Sequence, residues 1–504
     1  MLKTDAIRSN TEQGRTENWF TKSMKLPQQL QQSLLLIRFS YIGTALMVLL
    51  ASYIMIARPI QGLAEKGQLM LGALILALCI WIFKPFGLTY AIGGLVITIT
   101  GLLVGLETTV VFSGFTQSSL WTLIPAFFFG YTLQKTGLGR RIAMAVIRLC
   151  KPTFTSLVLA WIPIGVVLAL LTPATTVRVA IMIPIAVQCC ELFGIKKGSK
   201  GNSLLILTAF AMALIPGSGW LTGIIWGPFI QGQFEASGMH GMINFMSWIQ
   251  VLLLPIGIIT ALLVGLGLFF FKSEDKITRE AFLSVRNQHL EPISRKERIT
   301  AIILIAVFVA SLTSNLHGIS TAVICMLAMV SFFLFQVLET KDFNVAANWN
   351  LVIFIAVALS LGSIFASTGI STWLSGVVVP LLAPIMSNPW IFVLSIMTFM
   401  FLWSLVDVAM FIPTIAIMVP ILPDIQAAYQ IHPMVWVAMF ILAGNAFFLA
   451  YQNMWAVMSQ SIARERQHHW KDKHLSMYGV LYYISCMIAL LITMPLWIHL
   501  GLFT

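Results

Sequence analysis

The sequence predicts an all-α polytopic membrane protein with about eleven transmembrane helices and two re-entrant hairpins, built as an inverted-topology repeat. Three observations predict it. Of the 504 residues, 59% are hydrophobic and only 10% are charged, whereas soluble domains carry about 25% charged residues. The apolar residues gather in long runs such as Phe39–Ala57, Gly87–Leu106, Phe245–Phe271, Ile319–Val337 and Met477–Trp497, and each is long enough to cross a bilayer as a helix. Finally, the phrase VAIMIPIA at Val179–Ala186 returns as IAIMVPIL at Ile415–Leu422, 236 positions later.

Taken in order, residues 1–35 are polar and read as a cytoplasmic tail, without the charged start, short apolar core and cleavage site of a signal peptide. Residues 36–66 carry the first membrane helix. Residues 67–271 form the first repeat, with a hairpin at 153–191. Residues 272–298, the longest polar stretch after the tail, form a basic cytoplasmic linker. Residues 299–504 form the second repeat, with a hairpin at 390–424.

Positive charge sets the orientation, because Lys and Arg collect on cytoplasmic loops. With the amino terminus inside, eleven crossings and two hairpins that return to their side of entry, 27 of the 30 Lys and Arg fall on the cytoplasmic side. The first hairpin has Arg148 and Lys151 before it and Lys196 and Lys197 after it, so it opens from the cytoplasm. The second lies within Asp342–Ala463, which contains no Lys or Arg, so it opens from outside. The expected location is the cytoplasmic (inner) membrane, with an external carboxyl terminus. The net charge of +12 then reports topology, and the expected surroundings are a lipid bilayer with no nucleic-acid partner. The six cysteines lie in or beside apolar runs without metal-ligand spacing, which suits packing.

The repeat has further landmarks. FFFGYTLQKTG, ending at Gly137, pairs with ALSLGSIFASTG, ending at Gly369. LTAFAMALIPGSGW (Leu207–Trp220) pairs with LAGNAFFLAYQNMW (Leu442–Trp455). The two copies lie in opposite orientations, as in inverted-repeat transporters.

Within each copy, proline and small polar residues break apolar runs at LTPATTVR (Leu171–Arg178), LVDVAMFIPT (Leu405–Thr414), IPGSGW (Ile215–Trp220) and AYQNMW (Ala450–Trp455). Backbone can break at membrane depth only where protein groups or water replace its hydrogen bonds. Helix N-termini at such breaks favour an anion, while carbonyls and hydroxyls there can hold a small cation. Two hairpin tips and two interrupted spans meeting at the midplane describe the binding site of a secondary transporter. The candidate substrate residues are Thr175, Thr176, Arg178, Thr414, Gln452 and Asn453. The candidates for cation or proton coupling are Thr172, Gly217, Ser218, Ser404 and Asp407. Arg178 has the planar donor fork that grips carboxylates, and Asp407 can carry a proton. A static Arg178–Asp407 ion pair is the alternative, since intramembrane charges commonly pair. The hydroxyls serve equally well to satisfy backbone, and Trp220 and Trp455 read as packing. Enzyme chemistry is not expected: apart from Asp407 no carboxylate or His cluster falls near the midplane. A channel is disfavoured, because inverted hairpins suit alternating access.

These residues resemble the divalent anion–sodium symporter family and its dicarboxylate/citrate exchanger relatives over roughly residues 70–500. LQKTGLGRRIAMAVI, TPATTVRVAIMIPIA, NWNLVIFIAVALSLG and AYQNMW carry the resemblance. It implies a homodimer whose protomers each have a scaffold and a mobile transport domain. It implies elevator-type movement of a small anion, with an organic di- or tricarboxylate expected first and a sulfate-like oxyanion second. Coupling is to sodium, protons or counter-substrate, and no cofactor beyond sodium ions is expected. The chain departs from the family's Ser-Asn-Thr tips: it has Ala174-Thr175-Thr176 at the first, and Met410-Phe411-Ile412 at the second. Gly219-Trp220-Leu221 replaces the usual Pro-Pro-Asn. Arg178, two places after the first tip, resembles the exchanger branch.

Overall fold

The computed structural model describes residues 28–273, 277, 280, 282, 291–386 and 388–503, with side chains from residue 41 onward except that of residue 315. Most of the polar tail (1–35) and of the linker expected at 272–298 therefore lies outside the described residues. Among the described residues the fold is all-helical, with one isolated bridge between Ile431 and Phe503. Among the described residues, eight helical stretches are long and apolar enough to cross a membrane, and six more apolar helices are shorter.

Two helices form the centre. Lys200–Leu214 is buried at every position from Gly201 to Leu214, and Pro433–Gly444 is buried from Pro433 to Ala443. A helix that is apolar all round belongs in a core. Lys200–Leu214 packs against both arms of the first hairpin, Trp161–Leu171 and Thr175–Leu192. Pro433–Gly444 packs against Pro389–Trp403, the first arm of the second.

All four expected breaks occur. Trp161–Leu171 stops at Thr172, whose backbone is extended at φ −153° and ψ 130°, as Pro173 favours at the residue before it. The chain resumes as a helix at Thr175. Lys200–Leu214 ends in a tight turn at Pro216–Gly219 and an extended Trp220, then continues as Trp226–Ala236. Pro433–Gly444 is followed by an extended Leu449, a tight turn at Ala450–Gln452, and Met454–Glu465. The second hairpin's first helix ends at Trp403, and the next begins at Ile412 after Met410 and Phe411, both left-handed at φ 58° and 59°. Two successive left-handed residues with bulky side chains are strained backbone, costing about 1–3 kcal/mol each.

Candidate functional site

The site begins with Arg178. It sits one turn into the Thr175–Leu192 helix and is wholly buried. Its Nε donates to the Ala213 carbonyl at 2.6 Å, and its Nη1 to the carbonyls of Thr172 (2.5 Å) and Gly223 (2.8 Å). Its Nη2 donates to Thr175 Oγ1 at 3.0 Å. Three carbonyls and one hydroxyl thus cage the guanidinium between the first tip and the first interrupted span. Glycines allow the approach: a Cβ on Gly217 would stand 2.4 Å from the Gly223 carbonyl and 2.6 Å from Arg178 Nη2. A buried charge is tolerable only when hydrogen-bonded, and here main-chain dipoles do that. Among the described residues no ion pair includes Arg178. Its positive charge is therefore uncompensated by a carboxylate, immediately behind the first tip.

Asp407 does not pair with it. Its Oδ1 accepts from the Ala409 amide at 3.2 Å. Its Oδ2 accepts from the Thr414 amide at 3.2 Å and from the Thr414 hydroxyl. The carboxylate thus sits over the N-terminus of the helix that begins at Ile412, where negative charge is favoured. Trp403 Nε1 donates to Thr414 Oγ1 at 2.8 Å, which closes the loop.

Side chains join the remaining breaks. Trp455 Nε1 donates to Thr176 Oγ1 at 3.2 Å, linking the second interrupted span to the first tip. Gln452 Nε2 donates to Ser404 Oγ at 2.6 Å, linking the same span to the second tip. Asn445 Nδ2 donates to Ser218 Oγ at 2.8 Å, joining the two interrupted spans. Asn453 Oδ1 accepts from the amides of Trp455 (3.0 Å) and Ala456 (3.2 Å) and caps the Met454–Glu465 helix. The four breaks therefore come together, through partners the sequence did not specify.

A cavity of about 230 Å³ lies against this junction. Thr175 and Thr176 of the first tip and Met410 of the second reach it, with Trp455 alongside. The Ser118–Thr136 helix forms another wall. Ala174, which precedes the Thr175–Leu192 helix, supplies no capping side chain, so that helix presents its positive end to the cavity uncapped. Among the described residues no Lys, Arg or His lines the cavity. Near Gln134, Tyr131 donates to Asp342 Oδ1 at 2.8 Å and Lys135 to Asp342 Oδ2 at 2.5 Å. Burial alone would raise the Asp342 carboxyl. Bonds from Lys135, the Glu339 amide and Tyr131 outweigh it and hold the group down at about 2.

Of the residues expected to bind substrate, Thr175 and Thr176 face the cavity, and Arg178 stands one layer behind them, bonded to Thr175. Thr414, Gln452 and Asn453 hold the surrounding loops instead. The residues expected to couple a cation are divided. The Thr172 carbonyl and Gly217 face Arg178, Ser218 holds Asn445, Ser404 holds Gln452, and Asp407 caps a helix. A sodium ion does not fit the first break, because the guanidinium already occupies its ring of oxygens. Sequence reasoning passed over Phe127, noted Met410 only as a departure at the second tip, and took Trp455 as packing. Phe127, Tyr131 and Gln134 do share one helical face, but that spacing alone does not tell a cavity wall from a packed face.

A family model described as the sodium:sulfate symporter transmembrane region matches residues 40–503. A membrane protein of Cupriavidus necator is 25% identical over 376 residues, covering 66% of this chain and 68% of that protein. The chloroplastic dicarboxylate transporter 2 of Spinacia oleracea is 25% identical over 276 residues, covering 53% of this chain and only 49% of its own length. Among solved structures, the YdaH transporter of Alcanivorax borkumensis superposes with a TM-score of 0.53 at 15% identity, covering 79% of this chain and 89% of that one, a likeness of fold. The chain belongs to the sodium:sulfate symporter family.

Proposed function

We propose that this member of the family is a secondary carrier that moves an organic dianion across the cytoplasmic membrane by alternating access around the cavity. One observation carries the reading. The uncapped N-terminus of the Thr175–Leu192 helix opens on the cavity, with Thr175 and Thr176 lining it and the uncompensated Arg178 charge behind. Such a pole attracts an anion. Arg178 holds the tip in place and polarises the Thr175 hydroxyl, which donates to the substrate carboxylate. The dicarboxylate transporter named among the relatives supports an organic substrate. A sulfate-like ion needs donors all round, and the cavity's largely apolar walls suit it poorly.

The cage around Arg178 supports exchange over sodium symport. A fixed guanidinium takes the place a bound cation would fill, so the first tip keeps its positive charge whether or not substrate is present. An empty carrier then gains nothing from sodium there. On the exchange reading Asp407 joins the second tip to its helix as a structural group, and uptake into empty vesicles driven by a proton gradient would make it the proton carrier instead.

In this reading the repeats at 67–271 and 299–504 are inverted copies, with the hairpin at 153–191 opening from the cytoplasm and that at 390–424 from outside. The amino terminus is cytoplasmic and the carboxyl terminus external. Each protomer of a homodimer moves its own hairpins, elevator-fashion, past a scaffold. The substrate leaves chemically unchanged, so the protein is a carrier and not an enzyme.

The test is uptake of labelled succinate by purified protein in liposomes, either preloaded with unlabelled succinate or empty, with sodium and proton gradients imposed separately. Uptake confined to preloaded vesicles is expected. Uptake into empty vesicles driven by sodium would contradict the exchange reading.

A further inference from the structure

The cavity's shape and lining narrow the substrate further, on the proposed reading of the chain as a dianion carrier. It runs along one face of the Ser118–Thr136 helix, from Leu123 through Phe127 and Tyr131 to Gln134, a distance of about 16 Å at 1.5 Å per residue. Burial falls along that line. Leu123 is 2% exposed, Phe127 is half-buried and Gln134 is exposed. Gln134 therefore marks the mouth and Leu123 the inner end.

Polar groups are not spread evenly. The apolar part of the lining includes Leu123, Phe127, Ile225, Pro228 and Met410, none of which offers a side-chain hydrogen-bond donor. The anion-attracting pole lies to one side, at Thr175 and Thr176. A carboxylate pushed against these side chains would lose its water and gain no partner, which burial of charge does not tolerate. An apolar group there would gain from leaving water.

The second tip points the same way independently. Met410 holds its backbone at φ 58°, a conformation that glycine and asparagine adopt readily and a long side chain does not. Strain of this kind gathers at ligand-binding sites, and here it delivers a flexible thioether to the cavity wall, where such groups fit irregular apolar surfaces.

We infer that the substrate is an amphipathic dianion, with both carboxylates at one end, against Thr175 and Thr176, and an aromatic or branched apolar body at the other, against Phe127 and Met410.

Three labelled probes test this in preloaded proteoliposomes: benzene-1,2-dicarboxylate, benzene-1,4-dicarboxylate and succinate. The two aromatic acids share size and charge and differ only in where the carboxylates sit. The 1,2-isomer is expected to enter with a KM about tenfold or more below that of either other probe, the scale on which pockets discriminate by apolar fit. The Met410→Asn variant suits the left-handed backbone and removes the apolar contact. It is expected to melt no lower than the parent and to lose the preference for the 1,2-isomer over succinate. Equal handling of the two aromatic isomers, or a succinate KM as low as that of the 1,2-isomer, overturns the inference and leaves the carrier reading standing. No uptake of any probe by protein that melts cooperatively overturns both.

Discussion

Gly217 and Gly219 stand two residues apart in one tight turn, and a methyl group on each meets opposite surroundings. At Gly217 the added Cβ would lie 2.4 Å from the Gly223 carbonyl and 2.6 Å from Arg178 Nη2. Neither neighbour can yield cheaply. One is backbone, and the other is held at four points. Overpacking costs about 1–3 kcal/mol, and loss of one hydrogen bond from a charged donor adds about 1.5–3 kcal/mol. Gly217→Ala should therefore cost about 2.5–6 kcal/mol, a large part of the roughly 5–15 kcal/mol that holds a typical protein folded. At Gly219 the Cβ would lie 3.3 Å from Leu253 Cδ1 and 3.6 Å from Ile256 Cγ2, both ends of side chains that can shift. Gly219→Ala should change stability by about 1 kcal/mol or less. Thermal unfolding of the purified protein, followed by tryptophan fluorescence, reads both. The expected result is a large fall in Tm and loss of transport for Gly217→Ala, with near-parental behaviour for Gly219→Ala. Equal Tm values and full transport in both variants would refute the Arg178 cage as the device that seats the first tip.

Three further outcomes follow from the same geometry. Arg178→Lys keeps a charge but has a single nitrogen in place of the fork, so it should lower both Tm and maximal transport, whereas a raised KM at unchanged Tm would return Arg178 to direct substrate contact. Asp407→Asn should remove any pH dependence of transport if that carboxylate carries the proton, and an unchanged pH profile would end that assignment. His432 is pushed below its ordinary value near 6.5 by burial, and its Nδ1 accepts the Met434 amide at 3.2 Å. Its neutral form therefore stabilises the fold above about pH 6.5, and that contribution is lost as pH falls below it. Tm should drop from pH 7 to 5, and His432→Asn, which keeps a capping acceptor, should flatten the drop. A slope identical to the parent's would dismiss the histidine.

The breaks were legible because proline and small polar residues within apolar runs leave few other options. Pro173 biases Thr172 towards extended backbone. The partners were not legible. Arg178 and Asp407, the two charges near the tips, invited pairing. Arg178 instead takes main-chain carbonyls, which every residue possesses and no sequence advertises, and Asp407 takes the helix end beside it. Trp455 read as packing because its ring does pack, 5.9 Å from that of Trp226, and the bond from its Nε1 to Thr176 depends on how distant segments dock. Nothing in Met410-Phe411 signals left-handed backbone, since the residues that usually adopt it are absent there. The cavity wall on Ser118–Thr136 stayed hidden for a related reason: an apolar helical face looks the same whether it meets lipid, protein or substrate.

The most direct measurement is a cryo-EM map of the reconstituted protein at saturating benzene-1,2-dicarboxylate. The account predicts density in the cavity with carboxylate oxygens within hydrogen-bond distance of Thr175 and Thr176, and with the Arg178 guanidinium still in its ring of carbonyls. Ligand density elsewhere, or an Arg178 side chain that has left its cage to grip the ligand, would contradict it.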